Sequence, residues 1–564
     1  MNPRALLDRK LLIISALFVL FVFVLETCVF KTYRTFIFKA FTIEEFQSTS
    51  ARFYETFFFC FISACFLLFI FVYLSLASKY ILRIFYFGFF SLAGFYEYTY
   101  QNLFGRFSSV QDLSLAFLTT STQKLDAVLS YTSYTAIIPC VVYLMLLLTV
   151  RSDREFKLKK SLAMFAAFIA LFSAFHLAMW IVAPRYYFYD AWNNSFGAAS
   201  RTLYGMGFTK ISYVPTKREL VDKPEQTGSP NNNIVLVLDE SVRGDHLSLN
   251  GYQRPTTPFL DELASQNLVQ NWGIASSAST RSFESFQYVM TGVGPDEIAD
   301  IQQNVRERPT LFQYAKAMNY HTYYLDGQGD EFWGGDSNDL KSIDVLLGTT
   351  YFNPLGESKW DTDLKIAAKV SEIIKTSTGN FIFVFKRGNH TPYNTNFPPD
   401  AATWQPTAAT FAHNLLNLDR ETFINTYDNA IRYNLEGFFQ TIAADHWELP
   451  NNTVILYSSD HGQTLSEGGE IYSHGGESPK EAMVPLFMLG LRTKADTNFK
   501  ASHANIFATL LDLMAYPEAM RHHQYAISLL KAKAADSRER FFMTPNVMPG
   551  DKVIPTGVRI KFDQ

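Results

Sequence analysis

The sequence predicts two bodies of different physical kind: an α-helical membrane domain of about five spans, and an α/β outer domain built on a mostly parallel sheet. Two patterns carry this reading. Long apolar stretches are confined to the first third of the chain, and from Ile234 onward short uninterrupted apolar strands alternate with helical patterns. A third observation says where chemistry would gather, because two of those strands end on Asp-Glu or Asp-His.

At 564 residues the chain is too long for one ordinary domain, and 48% hydrophobic residues with 52 Phe is heavily apolar for a soluble enzyme. Leu11 to Phe30, Phe57 to Ala77, Leu129 to Val150 and Ser161 to Ala183 are each long enough to cross a bilayer, and the last three carry no Asp, Glu, Lys or Arg. Ile84 to Phe104 is a weaker fifth, interrupted by Glu97. Helices of soluble proteins keep a polar stripe that these lack.

Basic residues in short loops stay on the inner side. Arg151, Arg154, Lys157, Lys159 and Lys160 precede the last span, and Arg4, Arg9 and Lys10 precede the first, so both flanks are expected inside. Everything beyond Ala183 is then outside, which requires an odd number of crossings. Lys31, Arg34, Lys39 and Arg52 in the first outer loop run against the rule, partly balanced by Glu44, Glu45 and Glu55. The first apolar run lacks a small-residue cleavage site, which argues against a removable signal peptide. The expected organisation is a transmembrane anchor over 1–183, an interfacial segment and linker over 184–233, and an outer catalytic domain over 234–564. Arg185, Tyr186, Tyr187, Phe188, Tyr189 and Trp192 form the interfacial cluster, and Pro215 to Asn233 reads as an exposed connector.

Cys28, Cys60, Cys65 and Cys140 all lie in the membrane candidates, so the outer domain has no disulfides. A domain of roughly 330 residues buries enough core to do without them. The net charge of -4 gives no reason to expect nucleic acid or another polyionic partner.

In the outer region, Ile234 to Leu238, Thr322 to Leu325, Phe381 to Phe385 and Val454 to Tyr457 read as central strands. Pro258 to Leu268, with Thr257 as cap, Thr310 to Met318 and Thr362 to Thr376 read as helices between them. Ligands in such folds gather beyond the carboxyl ends of the strands. One strand ends in Asp239-Glu240-Ser241 and another in Ser459-Asp460-His461-Gly462. Carboxylates and an imidazole at one sheet edge suit zinc, which needs three or four converging ligands; each carboxylate alone could equally cap a turn. Ser276 to Phe283 is a hydroxyl-rich run entering a helix, suited to a phosphate or to plain capping. His390 and His474, near strand ends, are candidates for phosphate contact, proton transfer or a second metal.

The ordered motifs Asp239-Glu240-Ser241, Arg243-Gly244-Asp245-His246-Leu247-Ser248-Leu249-Asn250-Gly251-Tyr252, Pro255-Thr256-Thr257-Pro258, Ser276 to Thr280, Ser459-Asp460-His461-Gly462 and His474-Gly475 resemble those of bacterial inner-membrane phosphoethanolamine transferases. These belong to the alkaline phosphatase and sulfatase superfamily. The resemblance implies Glu240, Thr280, Asp460 and His461 as ligands of one zinc ion, with room for a second. It implies Thr280 as the nucleophile and His390 and His474 as substrate-side histidines. It further implies a multi-pass inner-membrane protein with its catalytic domain in the periplasm. The donor would be phosphatidylethanolamine and the acceptor lipid A, lipopolysaccharide core or another surface glycan. Two departures bear on the acceptor: the outer domain has no disulfides, and the loop from Gly105 to Asp126 lacks the polar donor-contacting motif of the lipid A branch. A phosphoglycerol transferase using phosphatidylglycerol, or an inactive membrane scaffold, are the rival readings. A sulfatase activity fits less well, since Thr280-Arg281-Ser282 is not a Cys/Ser-x-Pro-x-Arg run.

Overall fold

The computed structural model describes residues 8–29, 51–104, 134–150, 157–182, 195–200, 218–225, 228–297, 301–330, 332, 339–354, 359–408, 419–443, 449–450, 452–467, 474–544 and 559–563. The chain divides into two compact units, Met1–Tyr213 and Val214–Gln564. The interfacial cluster 185–192, the loop 105–126 and the basic residues Arg4, Lys31, Arg34, Lys39, Arg151 and Arg154 lie outside the described residues.

The first unit holds α1 (Arg9–Val29), α2 (Ala51–Ala77), α3 (Tyr80–Phe104), α4 (Tyr134–Thr149) and α5 (Leu158–Val182), one in each apolar stretch. Over the described residues, Arg9–Val29 and Leu158–Leu177 are long and apolar enough to cross a membrane, while Phe61–Ala77 and Thr135–Thr149 are apolar but shorter. The third helix is less apolar because it carries Arg83 and Glu97, both buried. Polarity along α1 is informative. It buries Ser15 and Glu26 beside Leu11, Phe18 and Val22, and exposes Ile13, Leu17, Leu20 and Val24. A helix in water turns its polar side outward; this one turns polar atoms inward, as an apolar solvent demands. Glu26 Oε1 accepts the backbone N–H of Ser195 at 3.0 Å.

The second unit is built on a seven-stranded sheet of β1 (Asn233–Asp239), β2 (Val269–Ser276), β3 (His321–Asp326), β4 (Val345–Leu347), β5 (Asn380–Phe385), β6 (Thr453–Ser459) and β7 (Met483–Leu489), in the order β2-β7-β6-β1-β5-β3-β4. The pairings of β1, β3, β4, β5 and β6 among themselves are parallel, whereas β7 runs antiparallel to both β6 and β2. The sheet is therefore mixed but mostly parallel. Successive β1 side chains point to opposite faces: Ile234, Leu236 and Leu238 enter one core, Val235 and Val237 the other. Helices α6 (Pro258–Ser265), α9 (Thr362–Thr376), α10 (Arg420–Ile431) and α11 (Gly437–Ala443) cover the face of Val235; α7 (Ser282–Thr291), α8 (Leu311–Ala317) and α12 (Ala504–Leu513) cover the face of Ile234.

Two local expectations change. The helix expected to run to Leu268 stops at Ser265, because Asn267 turns left-handed (φ 59°) and Leu268 already leads into β2. Thr257 precedes that helix, but its hydroxyl accepts the N–H of Leu249 at 3.0 Å instead of capping.

Topology decides what shares an edge. In the parallel set, Asp239 pairs with Ser459 and Asp326 with Phe385, so the carboxyl ends of β1, β6, β3 and β5 coincide. Since β7 is antiparallel to both its neighbours, β2 runs in the same sense as β6, and its end, Ser276, reaches the same edge. The loop 474–482 enters β7 there as well.

Candidate metal centre

Glu240, Asp460 and His461 each offer one ligand atom within 4.8 Å of the others, and all three are buried. His461 Nε2 lies 3.5 Å from Glu240 Oε1 and 3.5 Å from Asp460 Oδ2. Neither carboxylate is shaped by chance. Ser241, left-handed at φ 58°, donates its N–H to Asp460 Oδ1 at 2.9 Å and its hydroxyl to Glu240 Oε1 at 2.6 Å. Its carbonyl in turn accepts Tyr427 Oη–H at 2.6 Å. A non-glycine residue in that conformation costs on the order of 1–3 kcal/mol, and here three hydrogen bonds hold it.

The polar atoms are short of protons. Asp460 Oδ1 takes two backbone N–H groups, from Ser241 and from His461 at 2.6 Å, while Asp460 Oδ2 is buried with no hydrogen-bond partner among the described residues. His461 Nδ1 faces the Gly462 carbonyl at 2.7 Å, so it carries the ring proton and Nε2 presents a lone pair to the carboxylates. Burial opposes a charge on Glu240, yet the His461, His390 and His474 imidazoles and the Ser241 hydroxyl outweigh it and hold the carboxyl down at about 2. For Asp460, burial with the Glu240 charge added drives the pKa well above the usual range. Burial also lowers His461, against the pull of Glu240. Two touching carboxylates cannot both ionise unaided; a cation would let them. The donor set, two oxygens and one nitrogen, fits zinc.

Of the other expected residues, His474 and the loop of His390 contact the triad, whereas the hydrogen bonds of Thr280 run to Gly476 and Met543. Thr280 is buried, its N–H bonded to the Met543 carbonyl at 3.2 Å and its hydroxyl donating to the Gly476 carbonyl at 3.1 Å. His474 stacks on His461 with ring centroids 4.2 Å apart, and its Nδ1 lies 3.0 Å from Gln463 Oε1. His390 is exposed, with Nδ1 2.6 Å from the Thr391 carbonyl; its loop is tied to the triad by Asn389 N–H donating to the Glu240 carbonyl at 2.9 Å. That loop needs Gly388: it is left-handed (φ 49°), and a Cβ there would lie 1.9 Å from Asp239 Oδ1.

Four residues were not singled out by sequence patterns. Ser282, the first residue of α7, places Oγ 3.2 Å from Glu240 Oε2 and 3.1 Å from His461 Nε2. Gln328, beyond β3, donates Nε2–H to Glu240 Oε2 at 3.0 Å and to the Lys386 carbonyl at 2.9 Å. Lys386, fully buried, pairs with Asp239 Oδ2 at 2.5 Å, which also accepts Tyr457 Oη–H at 2.7 Å. His503 bridges two edges of the site, accepting Ala278 N–H on Nδ1 at 3.2 Å and donating Nε2–H to the Ser459 carbonyl at 2.8 Å. Of these, only Ser282 lay in a stretch with a sequence signal, the hydroxyl-rich run.

His503 makes an acid sensitivity. Burial lowers its pKa from 6.5 to about 3, so the folded protein keeps it neutral while the unfolded chain binds a proton below about pH 6.5. Its contribution is whole above that value and drains away as pH falls toward 3, by up to about 1.4 kcal/mol per pH unit. His503→Gln is expected to flatten the fall in thermal midpoint of the full-length protein between about pH 7 and pH 5. An unchanged slope would place the sensitivity elsewhere.

The profile of the family described as Sulfatase matches residues 232–516, just over half of the chain. The chain belongs to the sulfatase family. All members of the triad, together with Thr280, His390 and His474, fall within this sulfatase match. Among curated proteins the chain is similar to phosphatidylethanolamine transferase Mcr-1 of Escherichia coli, 28% identical over 304 residues, covering 50% of this chain and 53% of that protein. It is likewise similar to phosphoethanolamine transferase EptA of Helicobacter pylori, 25% identical over 301 residues, covering 50% and 52%. The Kdo(2)-lipid A phosphoethanolamine 7''-transferase of Escherichia coli is 20% identical over 327 residues, 54% of each chain. The chain thus spans about half the length of the curated relatives it matches. A solved structure, the integral membrane protein lipooligosaccharide phosphoethanolamine transferase A (EptA) of Neisseria meningitidis, aligns over 91% of this chain and 98% of its own with a TM-score of 0.61 and 19% identity. That likeness shows a shared fold for this sulfatase-family chain.

Proposed function

We propose that this protein is a membrane-embedded, zinc-dependent transferase that moves phosphoethanolamine from phosphatidylethanolamine to an envelope acceptor, a lipid A, lipopolysaccharide core or other surface glycan. The observation that carries the reading is the buried, proton-poor triad of Glu240, Asp460 and His461 beside a hydroxyl-rich helix start. The names of the curated relatives above, phosphatidylethanolamine and phosphoethanolamine transferases, supply the substrate class.

Glu240, Asp460 and His461 would hold the ion, with Thr280 as a further ligand by family resemblance. Zinc supplies Lewis acidity that lowers the pKa of a nearby hydroxyl and offsets phosphate charge. Thr280 Oγ1 attacks the donor phosphorus, and the bond from phosphorus to the diacylglycerol oxygen breaks. In this reading His474 takes the Thr280 hydroxyl proton on Nε2 and returns it to that oxygen, while Gln463 Oε1 accepts from its Nδ1 and so orients the ring. His390, exposed at the loop edge, is the second candidate. The acceptor hydroxyl then attacks the phosphothreonine, the bond from phosphorus to Thr280 Oγ1 breaks, and the acceptor's proton passes through the histidine to restore the Thr280 hydroxyl. Backbone N–H groups at the α7 start favour a phosphate there.

Five crossings would serve this chemistry, since the donor is a lipid; the inverted polarity of α1 supports them. The anchor would occupy 1–183, the connector 184–233 and the catalytic domain 234–564, with that domain in the periplasm of a bacterial inner-membrane protein.

The test is reconstitution of the full-length protein in vesicles of defined headgroup with a lipopolysaccharide acceptor, read by mass spectrometry. A phosphoethanolamine increment is expected with phosphatidylethanolamine; a phosphoglycerol increment from phosphatidylglycerol would replace the reading. Zinc bound per chain should fall to near zero in Glu240→Ala combined with Asp460→Ala.

A further inference from the structure

A second sheet, of two strands, has no part in the chemistry described so far. Its strands β8 (Phe541–Met543) and β9 (Arg559–Lys561) pair antiparallel, and β8 lies against the run that leads to Thr280.

β2 ends the order of the seven-stranded sheet, with β7 on one side and no strand of that sheet on the other. Past its last residue the backbone still has polar groups to satisfy along an open edge. Ala501 to His503 cover the first of them, His503 N–H donating to the Ser276 carbonyl at 2.9 Å. Met543 covers the next: its N–H donates to the Ala278 carbonyl at 2.9 Å, and its carbonyl accepts Thr280 N–H at 3.2 Å. One residue of β8 thus holds the chain on both sides of Ser279. The Met543 side chain is buried with Ala278 and with Tyr288 of α7. Phe542 packs with Ala482, in the same loop as Gly476, whose carbonyl accepts the Thr280 hydroxyl.

Arg540 fastens β8 in place. Its guanidinium donates to the Ile274 carbonyl of β2 at 2.8 Å and to the Ala501 carbonyl at 3.2 Å, and its Nη2 donates to Asp563 Oδ1 at 2.6 Å. Phe562 N–H returns to the Arg540 carbonyl at 2.8 Å, which ties in the end of β9. A planar guanidinium can hold two backbone oxygens and a carboxylate at once; the compact ammonium of a lysine is a poor replacement. Glu240, Asp460 and His461 take their hydrogen bonds elsewhere, from Ser241, Ser282 and Gln328.

We propose that β8 and β9 form an outer wall for the nucleophile's loop and that Arg540 is a positioning residue for Thr280, acting through the backbone of Met543. This rests on the reading of Thr280 as the nucleophile. Thr280 Oγ1 has to meet the donor phosphorus in line, and a misplacement on the order of 1 Å costs about 10²-fold in rate. The wall sets where the attacking atom stands and leaves metal retention to the triad.

The test compares full-length Arg540→Met with the parent in vesicles containing phosphatidylethanolamine, with lipopolysaccharide as acceptor. kcat is expected to fall about 10-fold or more, while KM for the donor stays within about 2-fold and zinc bound per chain is unchanged. Arg540→Lys should recover only part of the rate, since it lacks the fork. A parent-like kcat in Arg540→Met overturns the assignment. So does a fall in kcat matched by a fall in zinc, which would make the second sheet a support of the metal centre. If Arg540→Met does not fold, Asp563→Asn decides: it leaves both bonds to backbone carbonyls in place and should lower kcat about 3-fold at unchanged donor KM and zinc, and a parent-like kcat there overturns the assignment. Transfer by Thr280→Ala at the parent rate would instead defeat the nucleophile reading itself; an inactive Thr280→Ala beside a parent-like Arg540→Met sinks the wall alone.

Discussion

Thr280→Ala is expected to lower the transfer rate by at least about 10³-fold while leaving the fold intact, because a nucleophile that forms a covalent intermediate has no substitute among its neighbours. The side chain is small and buried, its one hydroxyl contact goes to the Gly476 carbonyl, and its backbone is pinned separately through the Met543 carbonyl. The loss should therefore appear in turnover rather than in the thermal midpoint. Envelope lipids and glycans from cells carrying the parent or the variant, compared by mass spectrometry, check this directly. In the parent, rapid acid quenching with donor present should leave a phosphoethanolamine adduct on the peptide containing Thr280. An adduct on Ser282 instead, or full transfer by Thr280→Ala, would remove Thr280 from the nucleophile's role.

Lys386→Met should be the most destabilising single change near the site, by about 3–5 kcal/mol. The ammonium is fully buried and stands between Asp239 Oδ2 at 2.5 Å and Asp363 Oδ2 at 3.8 Å, both buried. Removing it strands two carboxylates in the core directly behind Glu240. Asp363 also accepts the N–H groups of Arg387 at 2.9 Å and Gly388 at 2.8 Å, so the loop that carries His390 would lose its footing together with the charge balance. Adding Asp239→Asn to Lys386→Met should recover part of the loss, since one stranded charge is then neutral. Thermal midpoints of the full-length variants decide it; a Lys386→Met protein as stable as the parent would mean that the pair is replaceable by packing alone.

Much of the site was legible because it is local. The Val454 to Tyr457 strand stopping at Asp460-His461, and the Ile234 to Leu238 strand stopping at Glu240, are written in runs of fewer than ten residues. A parallel sheet then brings such ends to one edge by rule. The seventh strand was not legible in the same way. Met483–Leu489 includes Pro485 and runs antiparallel between β6 and β2, so neither its direction nor the delivery of Ser276 to the active edge follows from its own composition. His503, Gln328 and Lys386 were invisible for a related reason. Each is an ordinary polar residue whose meaning comes from partners dozens to hundreds of positions away, such as Ala278 for His503 and Glu240 for Gln328.

By itself, then, the sequence determined the division into an apolar helical part and an α/β part and the strand ends that bear the acidic and imidazole groups, and Thr280 as nucleophile is a proposal from family resemblance. These depend on periodicity and short-range chemistry, which a linear chain carries openly. Only the tertiary structure decided which hydroxyl faces the triad, that Asp239 belongs to Lys386 while Glu240 belongs to His461, and that Asp460 Oδ2 has no hydrogen-bond donor among the described residues. Those outcomes turn on side-chain direction and on the pairing of buried charges over long separations, where differences of an ångström select one partner and leave another unsatisfied.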